Sequence, residues 1–368
     1  MLAELRRAAR EPASALAAAG RPAIGYLCSL VPPELLLAAG LHPLRLRGLG
    51  VEDSASGDAY LSHLVCSFAR HVVSAALDGA YHFLAGEVSV NSCDHIRRAR
   101  DAMIAKSDLA YHGYISAPRS AREGLASWYR EELKRLQGSI EDHFKIKITD
   151  QSLAAAIDQM NQVRDRLAKL DALRSGPEPR LSGADFLAAA VAARTLAPGD
   201  FVERAEALIA AVRQSEPLTG LRARVVLIGG ELDDPRFVSV IEGQGAHVAG
   251  DLLCFGARGL GQKIENAEKP LPAIAAAYLG HLPCVRMMDE FPGRWQSLLD
   301  LYDRVQAQGV IFQRIKFCQL WANELHNLRH RFETERALPM LALEREYGMV
   351  STGQIKTRVQ AFLERLKV

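Results

Sequence analysis

The feature that most restricts the fold is an alternation of short apolar runs with amphipathic stretches. It occurs twice and is interrupted by residues 121–213, which hold no clear strand. Residues 23–28 (AIGYLC) form an apolar run ahead of Ser29 and the breakers Pro32 and Pro33, and predict a buried strand. Residues 34–40 (ELLLAAG) predict a helix that Pro33 opens and Gly40 closes. Residues 44–49 predict a second strand, and residues 62–77 a helix with Cys66 in its first turn. Residues 87–90 (EVSV) predict a further strand, giving way to a helix at Asn91-Ser92-Cys93-Asp94. From Arg224 the alternation resumes. Strands are predicted at 225–228, 246–253, 309–317 and 339–343, with helices at 234–244, around 273–279, after Cys318 and at 354–366. Such alternation gives parallel sheets with right-handed crossovers.

In the intervening stretch, Leu153, Ile157, Met160, Val163, Leu167, Leu170 and Leu173 recur every three or four residues, the stripe of one long amphipathic helix. Ser175-Gly176-Pro177 ends it, and Ser182 is placed to cap the next helix. The predicted fold is α/β, with two doubly wound, Rossmann-like parallel-sheet lobes. Residues 1–120 and 216–368 form the lobes, and residues 121–215 a helical connector.

The chain has 368 residues, long enough to bury about three quarters of its unfolded surface without disulfides. Lys plus Arg number 45 against 43 Asp plus Glu, so there is no basic footprint for nucleic acid. No apolar run approaches the length of a bilayer-spanning helix, so no membrane is expected. Residues 1–21 are rich in Ala and Arg, but Glu4 and Glu11 speak against an organelle-targeting peptide. A short amphipathic helix is expected there, and a reducing cytoplasm as the compartment.

Six cysteines carry the chemistry: Cys28, Cys66, Cys93, Cys254, Cys284 and Cys318. Cytosolic thiols stay reduced, and no CxxC pair exists for a zinc ribbon or a thioredoxin-type site. Any one of them serves equally well as a small core hydrophobe. Their placement points elsewhere. Cys28, Cys93, Cys254 and Cys318 fall at predicted carboxyl ends of strands, where open α/β sheets gather ligands. Cys66 opens a helix, where the macrodipole favours a thiolate. Thiolates converging on a cleft between two lobes suit zinc or an iron–sulfur cluster.

Several segments together resemble the 2-hydroxyacyl-CoA dehydratase family, which includes the B and C subunits of ATP-dependent benzoyl-CoA reductase. They are Gly25-Tyr26-Leu27-Cys28 with Pro33-Glu34-Leu35, Ala38-Ala39-Gly40 and Pro43, then Ser92-Cys93-Asp94 with Arg97-Arg98. Asp251-Leu252-Leu253-Cys254 with Gly256 and Arg258 follows, then Lys316-Phe317-Cys318, where Gln319 replaces the usual acid. Leu343-Glu344, Tyr347, Gly353-Gln354, Thr357-Arg358 and Ala361-Phe362 complete the match. The resemblance implies a 4Fe–4S cluster on Cys66, Cys93 and Cys318, with one iron left open. It implies an acyl-CoA substrate whose thioester carbonyl takes up one low-potential electron to give a ketyl radical. Dehydratases then expel a hydroxyl, whereas the reductases reduce an aromatic ring. It also implies a related second subunit in a heterodimer and a separate ATP-dependent activator iron–sulfur protein. In keeping with that division, the chain lacks GxxxxGK[ST].

Cys28, Cys254 and Cys284 match positions in the double-cubane proteins, which makes a two-cluster protein the alternative within the family. A two-lobed small-molecule binding protein without redox chemistry is the alternative outside it. Glu34, at a helix start beside the predicted cleft, is the candidate for proton transfer, although a first-turn acid also simply suits the helix dipole. Arg70, Arg97 and Arg98 are candidates for CoA phosphates or are solvated helix charges. Glu324, His326 and His330 have zinc-compatible spacing but lack HExxH.

Overall fold

A computed structural model of the chain describes residues 2–11, 20–48, 53–122, 124–265, 268–280, 284–348 and 352–366. Among the described residues, eight strands form two sheets. β1 (Ala23–Tyr26), β2 (His42–Arg45), β3 (Leu84–Val90) and β4 (His112–Ile115) pair in the order β2-β1-β3-β4. β5 (Ala223–Gly229), β6 (Ala246–Leu252), β7 (Gly309–Ile315) and β8 (Met340–Arg345) pair in the order β6-β5-β7-β8. Every pairing is parallel, which explains why the strands are near-continuous apolar runs: helices cover both faces.

In each sheet the chain steps from its first strand to one side and returns to the other. The order therefore reverses between β1 and β3, and again between β5 and β7. Crossover helices diverge at such a point, leaving a crevice beyond the strand ends. Cys28 and Cys93 follow β1 and β3, whereas Glu231 and Cys318 follow β5 and β7.

Between β4 and β5 the described residues contain helices and no strand: Leu125–Phe144, Asp150–Ser175, Gly183–Ala192 and Pro198–Gln214. The striped helix begins at Thr149, whose hydroxyl and that of Ser152 form a reciprocal capping box. Ser182 caps the next, its Oγ accepting from the Asp185 amide at 3.0 Å. That helix (GADFLAAAVA) is buried along its length and its small residues let neighbours approach. A Cβ on Gly183 would come within 2.6 Å of Val248 Cβ.

The second stretch of alternation does not stay in its own lobe. Helix Pro270–Gly280 packs on the first: Ile274, Ala275, Tyr278 and Leu279 share a core with Ile24, Tyr26, Val88 and Leu133. Just after it the buried Arg286 donates to Asn91 Oδ1 at 2.7 Å and to the Ala117 carbonyl at 2.6 Å. Tyr347 binds from the other side. Its hydroxyl accepts from the Gly48 amide (3.0 Å) and donates to Asp233 (2.7 Å), and its amide donates to Ser67 Oγ (2.8 Å).

Two local readings differ from expectation. The strand expected at 44–49 is β2, shifted towards the amino terminus; Leu49 lies outside the described residues. The helix expected from residue 62 starts at Ser67, because Cys66 has a non-helical backbone (φ −57°, ψ 143°).

Candidate metal centre

Cys66, Cys93 and Cys318 each occupy the residue before the first helical turn, of helices Ser67–Leu77, Asp94–Lys106 and Gln319–Thr334. First-turn amides have no partner within the helix. Here they lie beside the sulfurs and lower each thiol against the effect of burial, Ala69 at Cys66, His95 and Ile96 at Cys93, and Leu320 and Trp321 at Cys318, although none of the three cysteine side chains closes a capping hydrogen bond. Each helix N-terminus thus favours negative charge on its own sulfur. The His95 ring accepts the Cys66 amide through Nδ1 at 3.2 Å, tying two of the cysteine loops together.

Burial pushes all three thiols up, Cys318 to about 12. Cys318 and Cys93 raise Cys66 further, and Cys93 raises Cys318, so the three lie close enough to feel one another's charge. Among the described residues, no three His, Cys, Asp or Glu side chains already stand as a single-ion site. A lone zinc draws sulfurs to about 2.3 Å of one point, whereas a cluster spreads the same ligands over several irons. Three cysteine sulfurs are a donor set that an iron–sulfur cluster takes.

The remaining cysteines form a second group. Burial, followed by the nearby Cys284, pushes Cys28 up to about 12; Arg45 and Cys254 act on it more weakly. Cys254 Sγ lies 3.1 Å from Ser29 Oγ and accepts from Arg45 Nη2 at 3.3 Å. Arg258 donates to Cys284. Backbone strain marks both groups: Cys28 has φ 86° and Phe317, preceding Cys318, has φ 67°. Left-handed backbone at such residues costs about 1–3 kcal/mol each and persists where the surroundings enforce it.

The loop carrying Cys254 is held by Arg194, which donates to the carbonyls of Phe255 (2.8 Å) and Gly256 (3.1 Å) and is lowered to about 10 by burial. A Cβ on Gly259 would sit 1.7 Å from the Cys254 carbonyl oxygen. Gly259→Ala is therefore expected to displace this loop. Native-state digestion should show faster cleavage near residue 254 than in the unsubstituted chain; equal rates would contradict the tight packing.

Orphaned polar atoms face the same region. Glu231 Oε2 and Ser92 Oγ are buried without hydrogen-bond partners, and the Glu231 carboxylate is near enough to raise Cys66, Cys93 and Cys318.

The other expected site residues already have partners or face solvent. Glu34 is fully buried, with Oε1 paired to Arg164 at 2.5 Å and Oε2 accepting from Tyr278 at 2.8 Å. Arg70 is taken up by Asp58 (2.7 Å), Ser54 Oγ and the Val65 carbonyl. Arg97 and Arg98 are exposed, and Arg97 pairs with Asp94. Glu324 is locked to Arg294, while His326 and His330 point to solvent. Four contributors went unpredicted: Ser29, Arg45, His95 and Glu231. Glu231 had a legible signal, an acid directly after Gly229-Gly230 at a strand end. Arg45 had none, since a charge in a short strand reads as solvated.

Residues 28–366 match the family described as 2-hydroxyglutaryl-CoA dehydratase, D-component. The chain is 24% identical to the (R)-phenyllactyl-CoA dehydratase beta subunit of Clostridium sporogenes, covering 94% of this chain and 92% of the relative. It is 24% identical to the C subunit of benzoyl-CoA reductase from Thauera aromatica (95% and 92%). It is 22% identical to the (R)-2-hydroxyglutaryl-CoA dehydratase beta subunit of Acidaminococcus fermentans (100% and 99%). With a match that runs through both lobes and their connector, the chain belongs to the 2-hydroxyglutaryl-CoA dehydratase D-component family and is an enzyme chain of the dehydratase or reductase type.

Proposed function

We propose that the chain is the iron–sulfur subunit of a 2-hydroxyacyl-CoA dehydratase or ATP-dependent benzoyl-CoA reductase type complex, with a 4Fe–4S cluster on Cys66, Cys93 and Cys318. One observation carries this reading: Cys66, Cys93 and Cys318 each stand at the N-cap of a helix, Cys93 and Cys318 follow strands at which the two sheets reverse their order, and the three thiols influence one another's charge. When bound, such a cluster supplies one-electron transfer and an open iron that can polarise a carbonyl oxygen. The first-turn amides hold negative charge on the sulfurs, and the buried walls keep water from it. An acyl-CoA thioester is the proposed substrate, and a related second subunit and an ATP-dependent activator the proposed partners. The matched relatives are beta and C subunits, which supports the partner subunit. The cytoplasm is the proposed compartment. Proton transfer by Glu34 requires its bonds to Arg164 and Tyr278 to open, so that role is proposed together with a conformational change.

A second reading is favoured by the grouping of Cys28, Cys254 and Cys284 and by the strain at Cys28: a double-cubane protein that uses all six cysteines. Anaerobic purification with iron and sulfide counting decides. About four irons per chain supports one cluster and about eight supports two. An iron-free protein with normal folding defeats both and leaves the non-redox binding protein.

A further inference from the structure

Arg45 is 2% exposed and sits at the end of β2. Nη1 donates to Ser29 Oγ at 2.8 Å and Nη2 to Cys254 Sγ at 3.3 Å, and Nη2 also lies 3.5 Å from Glu231 Oε1. The guanidinium lies over the Phe255 ring at 4.8 Å and the Tyr26 ring at 5.7 Å. Its Nε is buried without an acceptor, as Glu231 Oε2 is without a donor. One fixed cation thus touches a sulfur of the second cysteine group and a carboxylate that faces the first. Arginine cannot shed its proton, so the charge is permanent.

We infer that Arg45 and Glu231 are positioning residues that set the reduction potential of the inorganic centre, Arg45 favouring electron uptake and Glu231 opposing it. The inference rests on the iron–sulfur reading and goes beyond it by assigning a function to two residues that are not ligands. Uptake of an electron adds negative charge. A cation in the same low-dielectric interior stabilises that charge, and a carboxylate there destabilises it. Arg258 and Arg194 also face Cys254, so Arg45 is one of several cations. Among the described residues it both donates to Cys254 and pairs with Glu231.

The test uses the full chain, purified anaerobically with its native iron and titrated with dithionite while its electron paramagnetic resonance is followed. In Arg45→Met the equilibrium constant for reduction should fall at least tenfold, a midpoint about 59 mV more negative for one electron. Glu231→Gln should move it the opposite way by a comparable factor, and the double variant should return towards the starting value. Arg45→Lys, which keeps the charge, should stay closer to the original than Arg45→Met. Single variants that shift in the same direction, or by less than twofold, overturn the inference while leaving the cluster in place. If Arg45→Met loses its iron, Glu231→Gln decides alone, and absence of a positive shift overturns the inference. An unsubstituted chain that carries no iron overturns the underlying reading, and the inference with it.

Discussion

Cys318→Ser should abolish iron–sulfur loading of the first cysteine group and lower turnover of the assembled complex by more than about 100-fold. Removing only an outer partner of a metal ligand typically costs 10–100-fold, and here a proposed ligand itself is lost. The substitution is informative because it spares the fold. Cys318 sits at the N-cap of Gln319–Thr334, a position where serine is among the preferred residues. The thermal midpoint of the iron-free protein should therefore hold steady while iron and sulfide disappear. Full iron content and an unchanged resonance spectrum in Cys318→Ser would defeat the assignment of this cysteine. Cys93→Ser, also at an N-cap, should behave the same way.

The largest effect on stability is expected at Glu34. Glu34→Ala leaves Arg164, itself buried, without its carboxylate, and removal of one partner from a buried ion pair costs about 3–5 kcal/mol. Tyr278 loses its acceptor as well. Both partners lie outside the first lobe's own sequence, Arg164 on the long connector helix and Tyr278 on Pro270–Gly280. The loss should thus appear as earlier cooperative unfolding in urea and not as local fraying. Glu34→Gln keeps the shape and part of the hydrogen bonding and should cost less. A midpoint within experimental error of the parent for Glu34→Ala would contradict the buried pair. Lost turnover in Glu34→Gln at retained stability and iron content would favour the proton-transfer role.

The fold was legible wherever periodicity and punctuation agreed. The stripe from Leu153 to Leu173, closed by Gly176 and Pro177, gave one helix because propensity, burial and stop signal pointed the same way. β4 was not legible: His112-Gly113-Tyr114-Ile115 is short and carries a histidine and a glycine, and its pairing with β3 depends on the buried Glu87, which His112 holds at 3.1 Å. At the site, cysteines at strand ends and helix starts could be read locally. Their sorting into two groups could not, because it depends on how two lobes and a returning segment pack. Glu34 shows the reverse. An acid in a first helical turn reads as facing a cleft or solvent, whereas the connector closes over it with a matching arginine.

The return of Pro270–Gly280 and Arg286 to the first lobe also constrains how the protein is made. A lobe at the amino terminus would ordinarily complete itself as it leaves the ribosome. Here its apolar interior lacks Ile274, Tyr278 and Leu279 until β5 and β6 have also been synthesised. Completion of that core therefore waits on the second half of the chain, which predicts that the two halves unfold in a single cooperative transition.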